Sequence, residues 1–296
     1  MAKVTEEQLA GWTGPSSTTE QDKQERTERM IREAINAHDA FKGSSYNIYA
    51  KGSYANNTNV KFDSDVDIAI ECAEVLYYED KDPNVDHSGS PYQGIWTPDY
   101  LRSQVEAALL AKFSGTVDSS GSTALRVNSN TARVDADVVP CFSFVEYFAN
   151  GATREGARVF KKNGGHTENY SMLQLRNGTN KNNRTNTYYK KTVRILKRLE
   201  NAMVTAGVCD ELPSYLMECL IYNCPDEYFA RSTWRDVMQG CLADIYNYTL
   251  APEPSEESGR WFEVNEAKFL FHATQKWTRE QVHTFAGAAW AFVGFE

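Results

Sequence analysis

Histidine is scarce in this chain: there are 5 in 296 residues, and none stands at the H-E-x-x-H spacing of a helical zinc site. Its 6 cysteines, Cys72, Cys141, Cys209, Cys219, Cys224 and Cys241, include no C-x-x-C pair. A zinc ribbon and a dithiol redox motif are therefore excluded, and the thiols read as buried, free residues of a reducing compartment. No apolar run approaches the ~18 residues that a membrane span needs. The opening MAKVTEEQLAGW lacks the apolar core of a signal peptide. Those two absences give the expectation of a cytoplasmic protein with no membrane partner. Basic residues are in deficit as well, 31 Lys and Arg against 40 Asp and Glu, for a formal net charge of −9. A nonspecific grip on duplex nucleic acid relies on basic surface and is not expected here. A local basic cluster could still bind small anions.

What is present is ordinary for a globular chain: 41% hydrophobic and 24% charged residues, long enough for one large domain or two lobes. Residues 16–38 place Met30, Ile31, Ala34 and Ile35 at helical spacing. YNIYA at 46–50 is a short β-prone run, followed by a Gly52-Ser53 turn. VDIAIE at 66–71 alternates with the period of a half-buried strand. Residues 77–95 are polar, with two prolines and two glycines, and read as a surface insertion. In residues 97–113 a Thr cap, Pro98 and Asp99 precede the stripe Leu101, Val105, Leu109, which predicts a helix. Strands are expected at 122–127, 133–148 and 157–163. After Gly165 the pattern turns helical, at 186–203, 213–223, 232–250 and 278–293, with a loop at 251–260. The expected division is therefore 1–163, an N-terminal helix and a mixed sheet, and 164–296, a helical lobe.

The chemistry-bearing stretch is KGSYANNTNVKFDSDVDIAI, residues 51–70. Residues two apart on a strand face the same side, so Asp65 and Asp67 project together, opposite Val66, Ile68 and Ile70. Paired carboxylates repel, and a divalent cation removes the conflict. Mg²⁺ takes one or two carboxylates and fills its remaining positions with water and substrate phosphates. Gly52 lets the backbone approach a phosphate, with amides and the Ser53 hydroxyl as donors. RVDADVVP supplies a third acid, Asp135 or Asp137, which a neighbouring antiparallel strand could bring beside the pair. Such a set suits two-metal phosphoryl transfer.

A Gly-Ser turn, then D-x-D, then a later lone Asp in a strand resembles the DNA polymerase β-like nucleotidyltransferases. DSDVDIAI with ADVVPC downstream resembles more narrowly the bacterial cGAS/DncV-like nucleotidyltransferases (CD-NTases). GSYANNTNVKFDSDVD and NGTNKNNRTNTYYKKTVRILKRL look like their clade E, some of whose members use pyrimidine nucleotides. The resemblance implies an α+β fold: a polymerase β-like core with a mixed twisted sheet, a C-terminal helical lobe and an N-terminal helix spanning both. It implies an enzyme that joins nucleoside triphosphates, ATP and/or UTP among them, into a cyclic di- or oligonucleotide. That product would serve as a second messenger in anti-phage (CBASS) signalling, read by a separate effector, and the synthase would be a monomer. Two Mg²⁺ ions, or Mn²⁺ in their place, would be held by Asp65, Asp67 and Asp137. Asp137 is preferred to Asp135 because the family's third acid precedes two apolar residues and a proline. Asp63 then reads as a turn cap, and Gly52 and Ser53 as the holders of the donor triphosphate.

The helical lobe carries a basic cluster, Lys181, Arg184, Lys190, Lys191, Arg194, Lys197 and Arg198, against the single acid Glu200. In the family a lysine of this helix reaches the donor phosphates; Lys190 is the first choice and Lys191 the next. Asn169 and Asn177 lie where this clade reads the base. Some relatives carry a His shortly before the N-G pair, where this chain has Gln174 and Leu175. Tyr54 and Tyr189 are weaker candidates for base stacking. Two other functions stay open on the same residues. One is a nucleotidyltransferase that makes a linear product or tails RNA. The other is an inactive nucleotide-binding or interaction protein, although all three acids are present.

Overall fold

The computed structural model describes residues 4–60, 65–87 and 89–295, and they form two compact units. Within the described residues, one unit holds 17–55 and 65–172, and the other holds 4–16, 56–60 and 173–295. The N-terminal segment serves both through separate helices. In α1 (Glu6–Gly11), Thr5 and Gln8 form a capping box, and the helix belongs to the second unit. Ser17 caps α2 (Thr18–Ala37), which belongs to the first.

The first unit is built on a seven-stranded sheet. Its elements in chain order are β1 (Tyr46–Lys51), the one-turn helix α3 (Gly52–Ala55), β2 (Val66–Asp80), α4 (Pro98–Lys112), β3 (Val117–Asp118), β4 (Leu125–Val127), β5 (Ala136–Tyr147), β6 (Thr153–Phe160) and β7 (His166–Asn169). The strand order is β1-β2-β5-β4-β3, and the far half of β5 pairs instead with β6, which pairs with β7. Helix α4 starts where its Thr97 cap and Pro98 place it. Leu101, Val105 and Leu109 of α4 pack with Ile31 and Ile35 of α2 on Val66, Ile68 and Ile70. Burial of each such side chain is worth about 1.5–3 kcal/mol, which fixes the β2 register. The opposite face, with the aspartates, is left to the site.

Two expectations change here. The surface insertion begins after Asp80 rather than at 77. A bulge between Cys72 and Leu76 lets Tyr77 to Asp80 resume pairing with Phe144 to Tyr147. The expected division at 163/164 falls within the β6–β7 hairpin, whose pairing keeps residues up to 172 with the sheet.

The second unit is helical: α5 (Ser171–Arg184), α6 (Tyr188–Thr205), α7 (Ser214–Asn223), α8 (Trp234–Leu250) and α9 (Arg279–Val293). Its core gathers Leu9 of α1, Val193 and Leu196 of α6, Met217 of α7, Leu242 of α8 and Phe285 of α9. The last four helices match the sequence pattern, whereas α5 was not foreseen. All six cysteines are free, five of them buried. No described helix is long and apolar enough to cross a membrane.

Candidate active site

Strands β2 and β5 pair in parallel, with Asp67 directly opposite Asp137. The expectation was an antiparallel neighbour. The chain instead crosses back over the sheet through α4 before entering β5, and such a crossover delivers a parallel strand. Lys51 on β1 is opposite Asp67, and Arg126 on β4 is opposite Asp137. The row Lys51, Asp67, Asp137, Arg126 thus runs across four strands, two acids between two bases. Asp65 sits one residue before β2 and joins the same patch through Arg126.

Arg126 is the charge hub. Its guanidinium lies 3.4 Å from the Asp65 carboxylate, 2.6 Å from Asp135 and 3.9 Å from Asp137. Lys51 Nζ is 3.4 Å from Asp67 Oδ1. Burial raises the Asp65 carboxyl above its usual value, and Asp137, Asp135 and Asp67 push it the same way against Arg126. Asp137 is raised too, by burial first and then by Asp67, with Arg126 and Lys51 opposing. Asp135 behaves differently. Burial would raise it, but hydrogen bonds from Arg126 and from the Ser129 N–H outweigh that and hold it below the usual carboxylate range. Its carboxylate is tied to the turn before β5, which sets it apart from Asp137.

The donor set is hard oxygen, as Mg²⁺ or Mn²⁺ requires, and two of its members are carboxyls raised by burial first and by neighbouring carboxylates after it. That crowding is what a bound cation relieves, so the residues fit the ion. Among the described residues, no three acid, imidazole or thiol groups yet converge closely enough to hold one as they stand. Arg126 supplies the compensating charge meanwhile. Asp63 lies outside the described residues.

Gly52 opens α3 with φ +68°, a conformation that favours glycine. A Cβ at Gly52 would collide with Asp67 Oδ2, with Asp67 Cγ next at 3.3 Å. The phosphate-binding turn expected at Gly52-Ser53 is therefore packed directly on a proposed metal ligand. The first N–H groups of such a turn have no intrahelical partner.

In the helical unit the candidates separate. Lys190 is half-buried on α6, and burial lowers its pKa, with Glu218 opposing. The Lys191 ammonium lies over the Tyr188 ring. The rest of the basic cluster serves the fold. Arg194 donates to the Thr13 and Asn57 carbonyls, Arg198 to the Trp12 and Gly14 carbonyls, and Lys181 to Asp226 and the Cys224 carbonyl. Lys197 is buried beside Thr58. Asn177 gives its amide to the Val264 carbonyl at 3.0 Å, and Gln174 donates to Glu218. Asn169 ends β7 in the sheet unit. Tyr189 is fully buried against Tyr222 and Phe229, which makes it a core residue. Tyr54 packs against the α2–α4 core.

Sequence reasoning missed Lys51 and Arg126. Each is a lone basic residue in a strand, and its partners are set by long-range register. Lys51 closes β1 and Arg126 is the middle residue of β4, and neither position marks it locally.

The chain matches the model of the cGAS/DncV-like nucleotidyltransferase C-terminal helical domain over residues 176–294. It is 36% identical over 295 residues to the cyclic dipyrimidine nucleotide synthase CdnE of Legionella pneumophila, covering 97% of each chain. The cyclic dipurine nucleotide synthase of Elizabethkingia meningoseptica is 29% identical over 300 residues, with 99% of each chain covered. The solved structure of the Rhodothermus marinus CdnE c-UMP-AMP synthase with Apcpp and Upnpp aligns with a TM-score of 0.84 at 26% identity, covering 99% of this chain and 97% of that one. On full-length identity of this order, and with the acidic row in place, the chain belongs to the cGAS/DncV-like nucleotidyltransferases.

Proposed function

We propose that the chain joins nucleoside triphosphates into a cyclic di- or oligonucleotide and releases pyrophosphate, with two Mg²⁺ ions held by Asp65, Asp67 and Asp137. The observation that carries this reading is the placement of Asp67 opposite Asp137, with the Gly52 turn packed on Asp67. Divalent ions bound there would offset the charge that develops on the phosphates and on the attacking hydroxyl.

The residues of the chain take distinct roles. Gly52 and Ser53 bind the donor triphosphate through the turn amides and the Ser53 hydroxyl. Lys190, in preference to Lys191, neutralises the phosphates. Asp137 accepts the proton of the ribose hydroxyl that attacks the α-phosphorus in line, and pyrophosphate leaves. A second transfer within the linear product closes the ring. Asn169 meets a base. Asn177 is the poorer choice, since its amide is already engaged by Val264.

ATP and/or UTP are the first substrates to try, because relatives named for dipyrimidine and for dipurine products are both similar to this chain. A role in anti-phage signalling through a separate effector, in a monomeric synthase, belongs to the same proposal.

The test is incubation with Mg²⁺ and labelled triphosphates, followed by phosphatase. A product that phosphatase leaves unchanged has no free phosphate end and marks a ring. A product that loses terminal phosphates has an exposed end and overturns cyclisation, and absence of pyrophosphate overturns the enzyme.

A further inference from the structure

In the helical unit, Lys190, Arg194 and Lys197 stand at i, i+4 and i+7 on one face of α6. Arg194 and Lys197 are buried, and Lys190 is half-buried. The segment 56–60 runs along that face. Asn57, at φ +53°, gives its carbonyl to Arg194 at 2.6 Å, and Lys197 Nζ lies 3.4 Å from the Thr58 hydroxyl. Three cations therefore share a largely dry surface, and buried ions need compensation. Glu218 of α7 supplies it. This side chain is buried as well. Its Oε2 accepts from the Thr58 hydroxyl at 2.8 Å, and its Oε1 from the Gln174 amide at 3.1 Å. The Tyr189 phenol reaches the Glu218 backbone carbonyl at 3.5 Å, which sets α7 beside the turn of α6 that carries Lys190.

The Thr58 hydroxyl stands between the two signs. Its proton goes to Glu218, and its lone pair faces Lys197. The donors on the two Glu218 oxygens are neutral, so neither hydrogen bond cancels the carboxylate charge. That charge acts on the lysines across a medium of low dielectric, where it reaches further than in water. Lys190 is the cation of this face whose ammonium has no ion pair among the described residues. Burial lowers its pKa, Glu218 opposes that, and Arg194 adds to the burial. We infer that Glu218, aimed by Thr58 and Gln174, is a positioning residue for Lys190: it is the buried counter-charge that keeps a cation at that position for a triphosphate. The inference deepens the synthase reading above and rests on its choice of Lys190 for the phosphates. A lysine that binds phosphate has to shed part of its water and stay cationic. A direct ion pair would compete with the phosphate for the ammonium, whereas a carboxylate held back by neutral donors supports the charge and leaves the ammonium free to bind.

The experiment uses the full chain in EDTA, so that no metal takes part, and has two readouts. ¹³C-lysine NMR follows the Lys190 Cε signal, assigned with Lys190→Met, from neutral to alkaline pH. Calorimetry measures the affinity for inorganic tripolyphosphate over the same range. Glu218→Gln should move the Lys190 titration to lower pH, since the opposing charge is gone while burial and Arg194 remain. Thr58→Val keeps the side-chain shape but lets the carboxylate turn away, and should move the titration the same way by less. Thr58→Ser keeps the hydroxyl and should restore the parental titration. At alkaline pH, Glu218→Gln should bind tripolyphosphate about tenfold more weakly, the loss of one charge-assisted hydrogen bond. Both readouts report on folded molecules alone, so partial unfolding does not alter them, and Thr58→Val gives the same reading should Glu218→Gln not fold. A Lys190 titration unmoved in both Glu218→Gln and Thr58→Val overturns the inference. So does a tripolyphosphate affinity that falls in Lys190→Met but in neither of those variants. If Lys190→Met binds tripolyphosphate as the parent does while the titration still moves, the choice of Lys190 for the phosphates fails and Glu218 stands as its counter-charge.

Discussion

Gly52 and Asp67 are packed so tightly that no side chain fits between them: a Cβ at Gly52 would run into Asp67 Oδ2, and the Gly52 backbone is at φ +68°. The turn proposed to bind phosphate and the acid proposed to bind metal therefore cannot move independently.

Gly52→Ala combines two faults, a left-handed backbone worth about 1–2 kcal/mol and a displaced Asp67 carboxylate. Pyrophosphate release should fall at least about a hundredfold, or about 2.7 kcal/mol of barrier. The urea midpoint should drop only modestly. Near-parental activity in a folded Gly52→Ala protein would show that the turn and Asp67 are not coupled in catalysis.

Asp67→Asn and Asp137→Asn should separate activity from stability. Like charges directly opposite on paired strands are destabilising, so each substitution should leave the metal-free urea midpoint at pH 7 unchanged or raise it. Activity should fall at least about a thousandfold, or about 4 kcal/mol. A marked loss of stability would mean that these carboxylates are structural.

Arg126→Gln removes the guanidinium that now compensates Asp65, Asp135 and Asp137. In EDTA the variant should melt at a lower temperature than the parent. Mg²⁺ should raise its Tm by more than it raises the parent's, because binding to the folded state stabilises by mass action and the cation replaces a missing charge. Equal Mg²⁺ shifts in the two proteins would refute the acidic patch as the cation site.

Asp226→Asn tests a pH-dependent anchor in the helical unit. Burial works to raise this carboxyl, but hydrogen bonds from Lys181 and Arg184 outweigh it and leave it below the usual value. A depressed carboxyl stabilises the fold above its unfolded pKa, about 3.9, and that stability is lost as pH falls through the lower, folded value. Because that carboxylate is 42% exposed and screened by solvent, the parent should exceed the variant by only about 1 kcal/mol at pH 7, a gap that narrows progressively below pH ~4. Urea titrations at pH 7 and pH 3 measure it, and a gap that persists undiminished at pH 3 contradicts the assignment.

Local signals carried much of the architecture into the sequence. Thr97-Pro98-Asp99 marked the start of α4, and VDIAIE separated core residues from acids by alternation alone. The choice between Asp135 and Asp137 could not be made from alternation, since both lie on one face. Register decides their surroundings: Asp137 meets Asp67 across β2, and Asp135 is tied to Ser129. Parallel pairing was illegible because it depends on a crossover of some fifty residues between the strands. Helix α5 was missed because SMLQLRNGTNKNNR holds a glycine and four asparagines. Tertiary contacts override that poor propensity, with Lys181 buried against Asp226 and Gln174 against Glu218. Arg194, Lys197 and Arg198 looked like a face for phosphate. They bind backbone carbonyls and a threonine of the chain itself, and a linear sequence does not announce such partners.

The helical unit borrows residues 4–16 and 56–60 from far upstream. Leu9 sits in its core, Arg194 holds the Thr13 and Asn57 carbonyls, and Thr58 bonds Glu218 at 2.8 Å. A gene fragment beginning near 173 would encode the helices without these threads, leaving a hole at Leu9 and buried charges unmatched. The two units are stitched rather than strung in series, so neither can be swapped, shuffled or expressed as a simple cassette. Chimeras between relatives should therefore exchange all three helical-unit segments together.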